Sequence, residues 1–353
     1  MTTVAAPRRR FNGLGTIVAL ELAQRVRSTA WYVLLGVFAL LMLGMTALLL
    51  PISGIADGGG YAFSTIVFFV LLLGTLITPA LSGGAVNGDR EAGTLATTQV
   101  TLVRTGALLL GKVLAAWVSS LALVVLALPF LAVAVIAGGL RVDTVLVSVL
   151  VVAVELGVVA AIGVGLSALI TRTVFSVVVT YLIVAALSIG TLLAFVLGGL
   201  AVRTDQVTRY RSLQDGATST ASKTPVCGAW EQDHQPVPRF DKVWWLLSAN
   251  PYVVLADAVP ASFSRDGVPK DLFGGLASSA RLAQIAPKPL VVYDDCSADN
   301  SSGPTPAQVM ARTVPSWFVG LGLHLLLAAA ILLGAWRALL TPARKLPRGS
   351  RVA

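Results

Sequence analysis

Six long apolar runs constrain this chain more than any other feature. They cover residues 30–50, 62–81, 106–138, 145–170, 175–200 and 316–339. A helix needs roughly 20 consecutive apolar residues to cross a hydrocarbon core about 30 Å thick, and each run meets that length. Only 12% of the residues are charged, whereas soluble domains contain about 25%. The sequence therefore predicts an all-α polytopic membrane protein with six transmembrane helices.

The distribution of Lys and Arg predicts the orientation of these helices, because basic flanks stay on the cytoplasmic side of a membrane. One side of the predicted bundle carries Arg8, Arg9, Arg10, Arg25, Arg27, Arg90, Arg104, Lys112, Arg172, Arg337, Arg344, Lys345, Arg348 and Arg351. The short loops on the other side hold only Arg141, Asp57 and Asp143. We therefore expect both termini in the cytoplasm, and we interpret the net charge of +9 as a topology signal. A nucleic-acid partner is not expected.

This orientation divides the chain into five parts. Residues 1–29 form a cytoplasmic N-terminus, residues 30–200 hold helices one to five, and residues 201–313 form an extracellular domain. Residues 314–340 hold the sixth helix and residues 341–353 a basic cytoplasmic tail. In the first part, apolar residues recur at helical spacing, which predicts an amphipathic helix on the inner membrane surface. They are Phe11, Leu14, Val18, Leu22 and Val26. A solvated helix or an extension of the first span is the alternative.

The predicted extracellular domain contains the only cysteines of the chain, Cys227 and Cys296. Disulfides persist outside the cytoplasm, so the pair is expected to form one, with two unpaired thiols as the alternative. A metal site is not expected, because His234 is the only nearby imidazole.

The same domain contains an interrupted apolar stretch that includes Trp244, Trp245, Asn250, Pro251 and Tyr252. Aromatic residues of this kind favour the headgroup layer, so we expect short helices resting on the outer leaflet. A seventh span is the alternative, but it would place the basic C-terminal tail outside the cell, against the charge rule.

Gly106 to Lys112 has most of the spacing of a phosphate-binding loop. Val113 stands where a Ser or Thr would ligate magnesium, and no strand precedes the run. The flanking residues are apolar, as at the start of a membrane helix. The chain is therefore expected to have no ATPase site, and any nucleotide chemistry must come from another protein.

A polar segment between the second and third apolar runs carries the most specific motif. It has an acidic-basic-acidic cluster, then Gly-Thr-Leu, then an Arg, then Gly-Lys, and these residues are Asp89, Arg90, Glu91, Gly93, Thr94, Leu95, Arg104, Gly111 and Lys112. The segment resembles the cytoplasmic loop, here 85–105, of type-two ATP-binding-cassette (ABC) exporter permeases. One departure is Thr101, where the family often has proline. We read Glu91 as lying near a helix N-terminus, where the macrodipole favours a carboxylate.

The resemblance implies a function and a set of partners. The loop would be a coupling helix that sits in a cleft of a cytoplasmic ATPase subunit, two of which serve each complex. A second permease chain, identical or homologous, would complete the dimer in a bacterial inner (plasma) membrane, among membrane lipids. ATP and Mg would bind the ATPase subunits, and this chain would bind no cofactor. The complex would export an amphipathic, lipid-like or drug-like substrate by alternating access.

Glu155 is the one acidic residue deep in a predicted span, and His324 in the sixth run is its natural partner. A proton-coupled step, a contact with cargo and a structural hydrogen bond all remain open for this pair. No set of residues indicates catalysis. The alternative function for the whole chain is a non-transporting anchor or sensor whose extracellular domain binds a ligand or an envelope partner.

Overall fold

A computed structural model of the chain describes residues 13–53, 59–93, 105–138, 140–212, 227–296 and 303–340. The described chain is mostly helical and has six helices long and apolar enough to cross a membrane, as predicted. They cover Thr29–Leu49, Gly59–Glu91, Thr105–Ile136, Val142–Leu169, Thr173–Ala201 and Trp317–Leu339. The predicted bounds agree with these ranges to within a few residues, except that the second helix continues to Glu91. The chain divides into two compact units, Met1–Ala186 with Leu321–Ala353, and Leu187–Gly320.

The first unit contains most of the helices. In chain order they are α1 (Gly13–Val26), α2 (Thr29–Ser53), α3 (Gly59–Ser82), α4 (Ala85–Glu91), α5 (Thr105–Gly138), α6 (Val142–Leu169) and α7 (Thr173–Ala185). After α7 a π-helical turn, Ala186–Gly190, leads into α8 (Thr191–Ala201), which belongs to the second unit. The last helix of the chain, α13, covers Trp317–Leu339.

Close contacts between α3, α5 and α6 form the centre of the first unit. A Cβ atom placed on Gly74 of α3 would lie 2.7 Å from Leu156, and one on Gly157 of α6 would lie 3.0 Å from the Trp117 indole. That indole nitrogen donates to the Ala153 carbonyl at 2.7 Å. Small residues therefore let these helices approach closely, which is the usual means of packing helices in a bilayer.

The second unit contains short helices and a small sheet. The strands are β1 (Arg203–Arg211), β2 (Glu231–Pro238) and β3 (Leu290–Asp294), and the helices are α9 (Trp244–Ser248), α10 (Pro251–Ala258), α11 (Leu272–Leu282) and α12 (Pro306–Arg312). A 3-10 turn, Phe240–Lys242, precedes α9. The strand order is β2-β1-β3, with β1 antiparallel to β2 and parallel to β3.

The sheet corrects the all-α expectation. β1 carries Val207, Thr208 and Tyr210, residue types that favour strands. β2 is mostly polar and contains Pro236 and Pro238, which have no backbone N–H and are tolerated because β2 lies at the edge of the sheet. The compact unit also starts before and ends after the predicted 201–313 boundaries, since it includes α8 and the start of α13.

Candidate functional site

The predicted loop begins as a short continuation of α3. Gly83 and Gly84 interrupt the helix, and α4 then runs from Ala85 to Glu91. The expectation that Glu91 lies near a helix N-terminus is wrong for the described helices, because Glu91 is the last residue of α4. The macrodipole of α4 therefore disfavours this carboxylate. A hydrogen bond offsets this unfavourable interaction with the macrodipole, since the Thr173 hydroxyl at the start of α7 donates to Glu91 at 2.7 Å.

Gly93 follows the end of α4 with a φ of +69°. Its backbone N–H donates to the Arg90 carbonyl at 3.2 Å. Left-handed backbone at the end of a helix favours glycine, so conformation explains this residue without any docked partner. Three further residues of the motif, Thr94, Leu95 and Arg104, lie outside the residues that the structure describes, as does Thr101.

Replacing Gly93 with alanine is expected to destabilise the end of α4 by about 1–2 kcal/mol, the cost of left-handed backbone for an L-residue. A Cβ atom at Gly93 would meet nothing within 4 Å, so the effect would come from φ alone. Hydrogen exchange of the α4 amides measures it.

Gly88→Ala is the matched control, because Gly88 lies inside α4 and also has open space around it. It is expected to stabilise the helix by roughly 0.5–1 kcal/mol. Equal effects of the two substitutions would contradict the conformational explanation.

Backbone and side-chain hydrogen bonds fasten α4 to the end of α6. The amides of Val86 and Asn87 both donate to the Ser167 hydroxyl, at 3.0 and 3.1 Å. The Asn87 side chain, which is fully buried, donates to the Ile170 carbonyl at 2.5 Å. Arg90 in turn donates to the Asn87 side-chain oxygen. The loop helix is thus held at the junction of α6 and α7.

Lys112 joins the loop to two other helices. Its ammonium lies 2.7 Å from a carboxylate oxygen of Asp89 and forms a second, shorter ion pair with Glu21 of α1. It also donates to the Ala85 carbonyl at 2.8 Å. The Lys112 side chain is 1% exposed, so it holds α1, α4 and α5 together from inside. It does not offer a surface for a partner.

Gly111 has a packing role beside this lysine. A Cβ atom there would lie 2.8 Å from Ile17 of α1, so glycine allows α1 to lie directly against α5. Gly106, Gly111 and Lys112 all belong to the continuous helix α5. The backbone there is therefore helical, unlike a phosphate-binding loop.

α1 presents a polar stripe to the bundle. Its charged residues are Glu21 and Arg25, four residues apart, and the apolar Ile17, four residues before Glu21, lies on the same helix face. Arg25 donates to the Leu81 and Ala115 carbonyls, both at 3.1 Å, and to the Ser119 hydroxyl at 2.7 Å. Burial lowers the pKa of its guanidinium, and the nearby Glu21 opposes that shift. Sequence periodicity predicted the apolar face of α1, but it did not predict the contacts that Glu21 and Arg25 make with the bundle.

Glu155 and His324 meet inside the first unit. The His324 Nδ1 atom lies 3.1 and 3.0 Å from the two carboxylate oxygens of Glu155. The side chains are 2% and 1% exposed. The pair joins the middle of α6 to α13 and can act as an interhelical hydrogen bond.

Replacing Glu155 with leucine is expected to destabilise the protein by about 1–3 kcal/mol, because it leaves the buried His324 without this acceptor. Glu155→Gln is the matched variant and should lose less stability, since its amide oxygen can still accept a hydrogen bond from His324. Thermal unfolding in detergent, followed by tryptophan fluorescence, measures both changes. A larger loss for glutamine than for leucine would contradict the hydrogen-bond role.

The interrupted apolar stretch in the second unit folds as two short helices. Trp244 and Trp245 start α9, and Pro251 and Tyr252 start α10. Asn250 between them caps α10 by accepting from the Tyr252 amide at 3.0 Å. Its amide nitrogen donates to the Ser188 carbonyl, at 2.6 Å, in the π-helical turn. A π-turn leaves carbonyls without regular helical partners, and Asn250 supplies one.

Cys227 and Cys296 form the expected disulfide, with their Cα atoms 6.1 Å apart and a sequence separation of 69. Replacing both with serine is expected to remove roughly 4 kcal/mol of stability from the second unit, by the chain-entropy model. Hydrogen exchange of β1 and β3 would measure the loss. Reductant added to the unsubstituted protein is the control and should give the same change; full protection without the bond would contradict the prediction.

A buried ion pair in the second unit was not predicted from the sequence. The Arg281 guanidinium of α11 lies 2.5 Å from an oxygen of Asp257 in α10, and the Asp257 side chain is fully buried. The other oxygen of Asp257 accepts from the Ser316 hydroxyl at 2.9 Å and from the Trp317 amide at 3.0 Å. Asp257 therefore places a carboxylate at the N-terminus of α13, where the macrodipole favours negative charge.

Neither comparison with known proteins identifies a family. A scan against protein-family models finds no match to this chain, and a search of curated proteins finds no matching sequence. Among the described residues, no group of three or more His, Cys, Asp or Glu side chains is suited to hold a metal ion.

Proposed function

We propose that this chain is the membrane-spanning permease subunit of an ATP-driven ABC exporter. The loop at 85–105 docks on a separate cytoplasmic ATPase subunit, and two such subunits serve a dimer of permeases. ATP and Mg bind the ATPase subunits. The cargo is an amphipathic, lipid-like or drug-like molecule that leaves the cell by alternating access.

The observation that carries the proposal is the fastening of α4 to the helices around it. A turn that is simply exposed to solvent needs no buried lysine. Here Lys112 binds acids from both α1 and α4. Hydrogen bonds from α4 to Ser167 and Ile170 add the end of α6. A force applied to α4 would therefore reach α1, α5 and α6 at once, which a coupling helix requires.

In this proposal both termini lie in the cytoplasm of a bacterium, and the segment 201–313 lies outside. α1 rests at the inner membrane surface with its polar stripe against α5. The helices α9 and α10 lie at the outer leaflet. The exposed apolar side chains of α2, among them Val33 and Leu40, face lipid or the second permease.

Co-purification tests the proposal directly. A tagged copy of the chain, extracted from native membranes in mild detergent, should recover a nucleotide-binding subunit in equal amount, and mass spectrometry should find a phosphate-binding loop in it. Glu91→Ala should reduce that recovery and the ATP hydrolysis of the complex. Asp143→Ala is the control, since Asp143 is an exposed acid that this proposal places on the opposite membrane face.

Two results would overturn the proposal. Recovery of the chain without any nucleotide-binding subunit would favour the alternative function of an anchor or sensor. In that function the disulfide-linked second unit would bind the ligand or envelope partner. Unchanged recovery and hydrolysis with Glu91→Ala, while the permease remains folded, would remove the docking role of the loop.

A further inference from the structure

The second unit contains a small apolar pocket that the coupling function does not use. Its volume is about 300 Å³, at the lower end of the range for small-molecule sites. Its walls include Phe195, Phe240, Leu282, Ala283, Ile285 and Pro287. Ser279 also lines it, but its hydroxyl already donates to the Gly275 carbonyl at 2.8 Å. The interior therefore suits a hydrocarbon group.

One wall of the pocket belongs to an apolar helix of membrane-spanning length. Phe195 lies in α8, which is the last part of the candidate span Thr173–Ala201. It precedes Ala201 by six residues, or about 9 Å along the helix axis. In the proposed orientation, this depth is that of the outer acyl-chain region. Phe195 then brings one wall of the pocket to the level of outer-leaflet hydrocarbon.

The large accessible side chains that line the pocket are apolar. Leu282 is 49% exposed and Ile285 is 38% exposed. Large apolar groups that line a cavity and remain open to its surroundings mark a contact surface for a ligand or a membrane.

Three exposed basic residues lie beside lining residues. Arg203 pairs with Pro238 in the sheet, Lys242 follows Phe240 by two residues, and Lys288 follows Pro287. Within the described part of the chain, none of the three forms an ion pair with an acid. Asp241 does not neutralise them, because Arg239 binds both of its oxygens, at 2.7 and 2.8 Å. Asp205, two residues after Arg203, is the exposed acid nearest in sequence to that arginine. These three residues, which we call the basic rim, outnumber Asp205, so the net charge beside the lining residues is positive and suits an anionic headgroup.

We infer that the pocket binds one acyl chain of an anionic phospholipid from the outer leaflet, with its phosphate near Arg203, Lys242 and Lys288. The apolar wall selects the chain and the basic rim selects the charge. The inference rests on the membrane arrangement in the proposed function but not on the ATPase partner. The lipid-binding inference and the proposed exporter function can therefore fail separately.

Photo-crosslinking tests the inference on the full-length protein in liposomes, without ATP or an ATPase subunit. The probe is phosphatidylglycerol with a diazirine near the end of one acyl chain. Label is expected on the peptides that contain Phe240 and Leu282. Ala283→Trp fills the pocket and should reduce that label about tenfold. Leu290→Trp is the control, because Leu290 is apolar and 45% exposed but does not line the pocket.

A second pair of variants tests the rim. Lys288→Glu should abolish the preference for phosphatidylglycerol over the phosphatidylcholine analogue of the probe, whereas Lys270→Glu, at another exposed lysine, should leave it unchanged. If Ala283→Trp fails to fold, Ser279→Phe is used in its place, because Ser279 lines the same pocket.

Equal labelling of the filled-pocket and control variants would overturn the inference, as would label spread evenly over the apolar helices. Pocket labelling that competes only with an exported amphiphile, and not with phospholipid, would also overturn it. Specific labelling in a preparation that recovers no ATPase subunit would uphold the inference while the proposed function fails.

Discussion

Replacing Lys112 with methionine is expected to destabilise the first unit by about 2–4 kcal/mol. Methionine keeps much of the length and apolar volume of the side chain, so the change isolates the ammonium charge. Loss of one partner from a fully buried ion pair costs about 3–5 kcal/mol. We expect somewhat less here, because the Glu21 and Asp89 side chains retain 16% and 28% of their exposure and water can partly replace the lysine.

Thermal unfolding in detergent measures the stability of this variant, and recovery of the proposed ATPase subunit measures its coupling. Both are expected to fall together, since α1 and α4 lose the same cation. Arg27→Met is the control: Arg27 is exposed at the end of α1, and its loss removes one basic charge from the same predicted membrane face. It should change neither quantity.

A double-substitution cycle tests the contact itself. Glu21→Gln combined with Lys112→Met should cost less than the sum of the two single changes, because the second change removes a partner that is already lost. Additive effects, or a Lys112→Met protein as stable as the Arg27→Met protein, would show that the ion pairs do not hold the helices together.

The spans were predictable because each is a local property of the chain. A helix that crosses hydrocarbon must satisfy its backbone hydrogen bonds internally and present apolar side chains for about 20 residues. Both requirements can be read from any one stretch. The end of the second helix was misplaced because Asp89 and Glu91 are charged, and charge is the usual sign that a span has ended. Here α4 continues past Gly83 and Gly84 with those acids paired to other helices.

The residues of the loop were identified by their spacing, but their contacts were not. Lys112 lies 91 residues from Glu21 in the chain, and no local pattern indicates which acid it will meet. Conversely, the intramembrane partners Glu155 and His324 could be matched because few other polar groups compete for them in those spans. Pairing is predictable where candidates are scarce, and it requires the fold where candidates are many.

The sheet and the Asp257–Arg281 pair show the limit of local reasoning in the second unit. β2 has little intrinsic preference for a strand, and it forms because β1 supplies its hydrogen-bond partners over eight residue pairs. Asp257 and Arg281 resemble ordinary surface charges in the sequence. Only the approach of α10, α11 and the start of α13 removes both from water.

Replacing Asp257 with asparagine is expected to destabilise the second unit by about 3–5 kcal/mol. Asparagine keeps the shape and an oxygen that can still accept from Ser316 and Trp317. It removes the charge that Arg281 requires, and Arg281 is only 6% exposed. An uncompensated buried guanidinium carries most of the cost. The N-terminus of α13 also loses a favourable carboxylate, worth up to about 2 kcal/mol in partly buried geometries and already included in this range.

Asp143→Asn is the matched control, because Asp143 lies in the first turn of α6 and pairs with Arg141, yet both side chains are well exposed. No measurable change is expected there. Thermal unfolding and hydrogen exchange of α10 and α11 compare the two variants. Arg281→Met added to Asp257→Asn should restore much of the lost stability, since a buried pair replaced on both sides leaves no unpaired charge. If Asp257→Asn is as stable as Asp143→Asn, or if the double variant is weaker than the single one, the buried charge is not what joins α10 and α11 to α13.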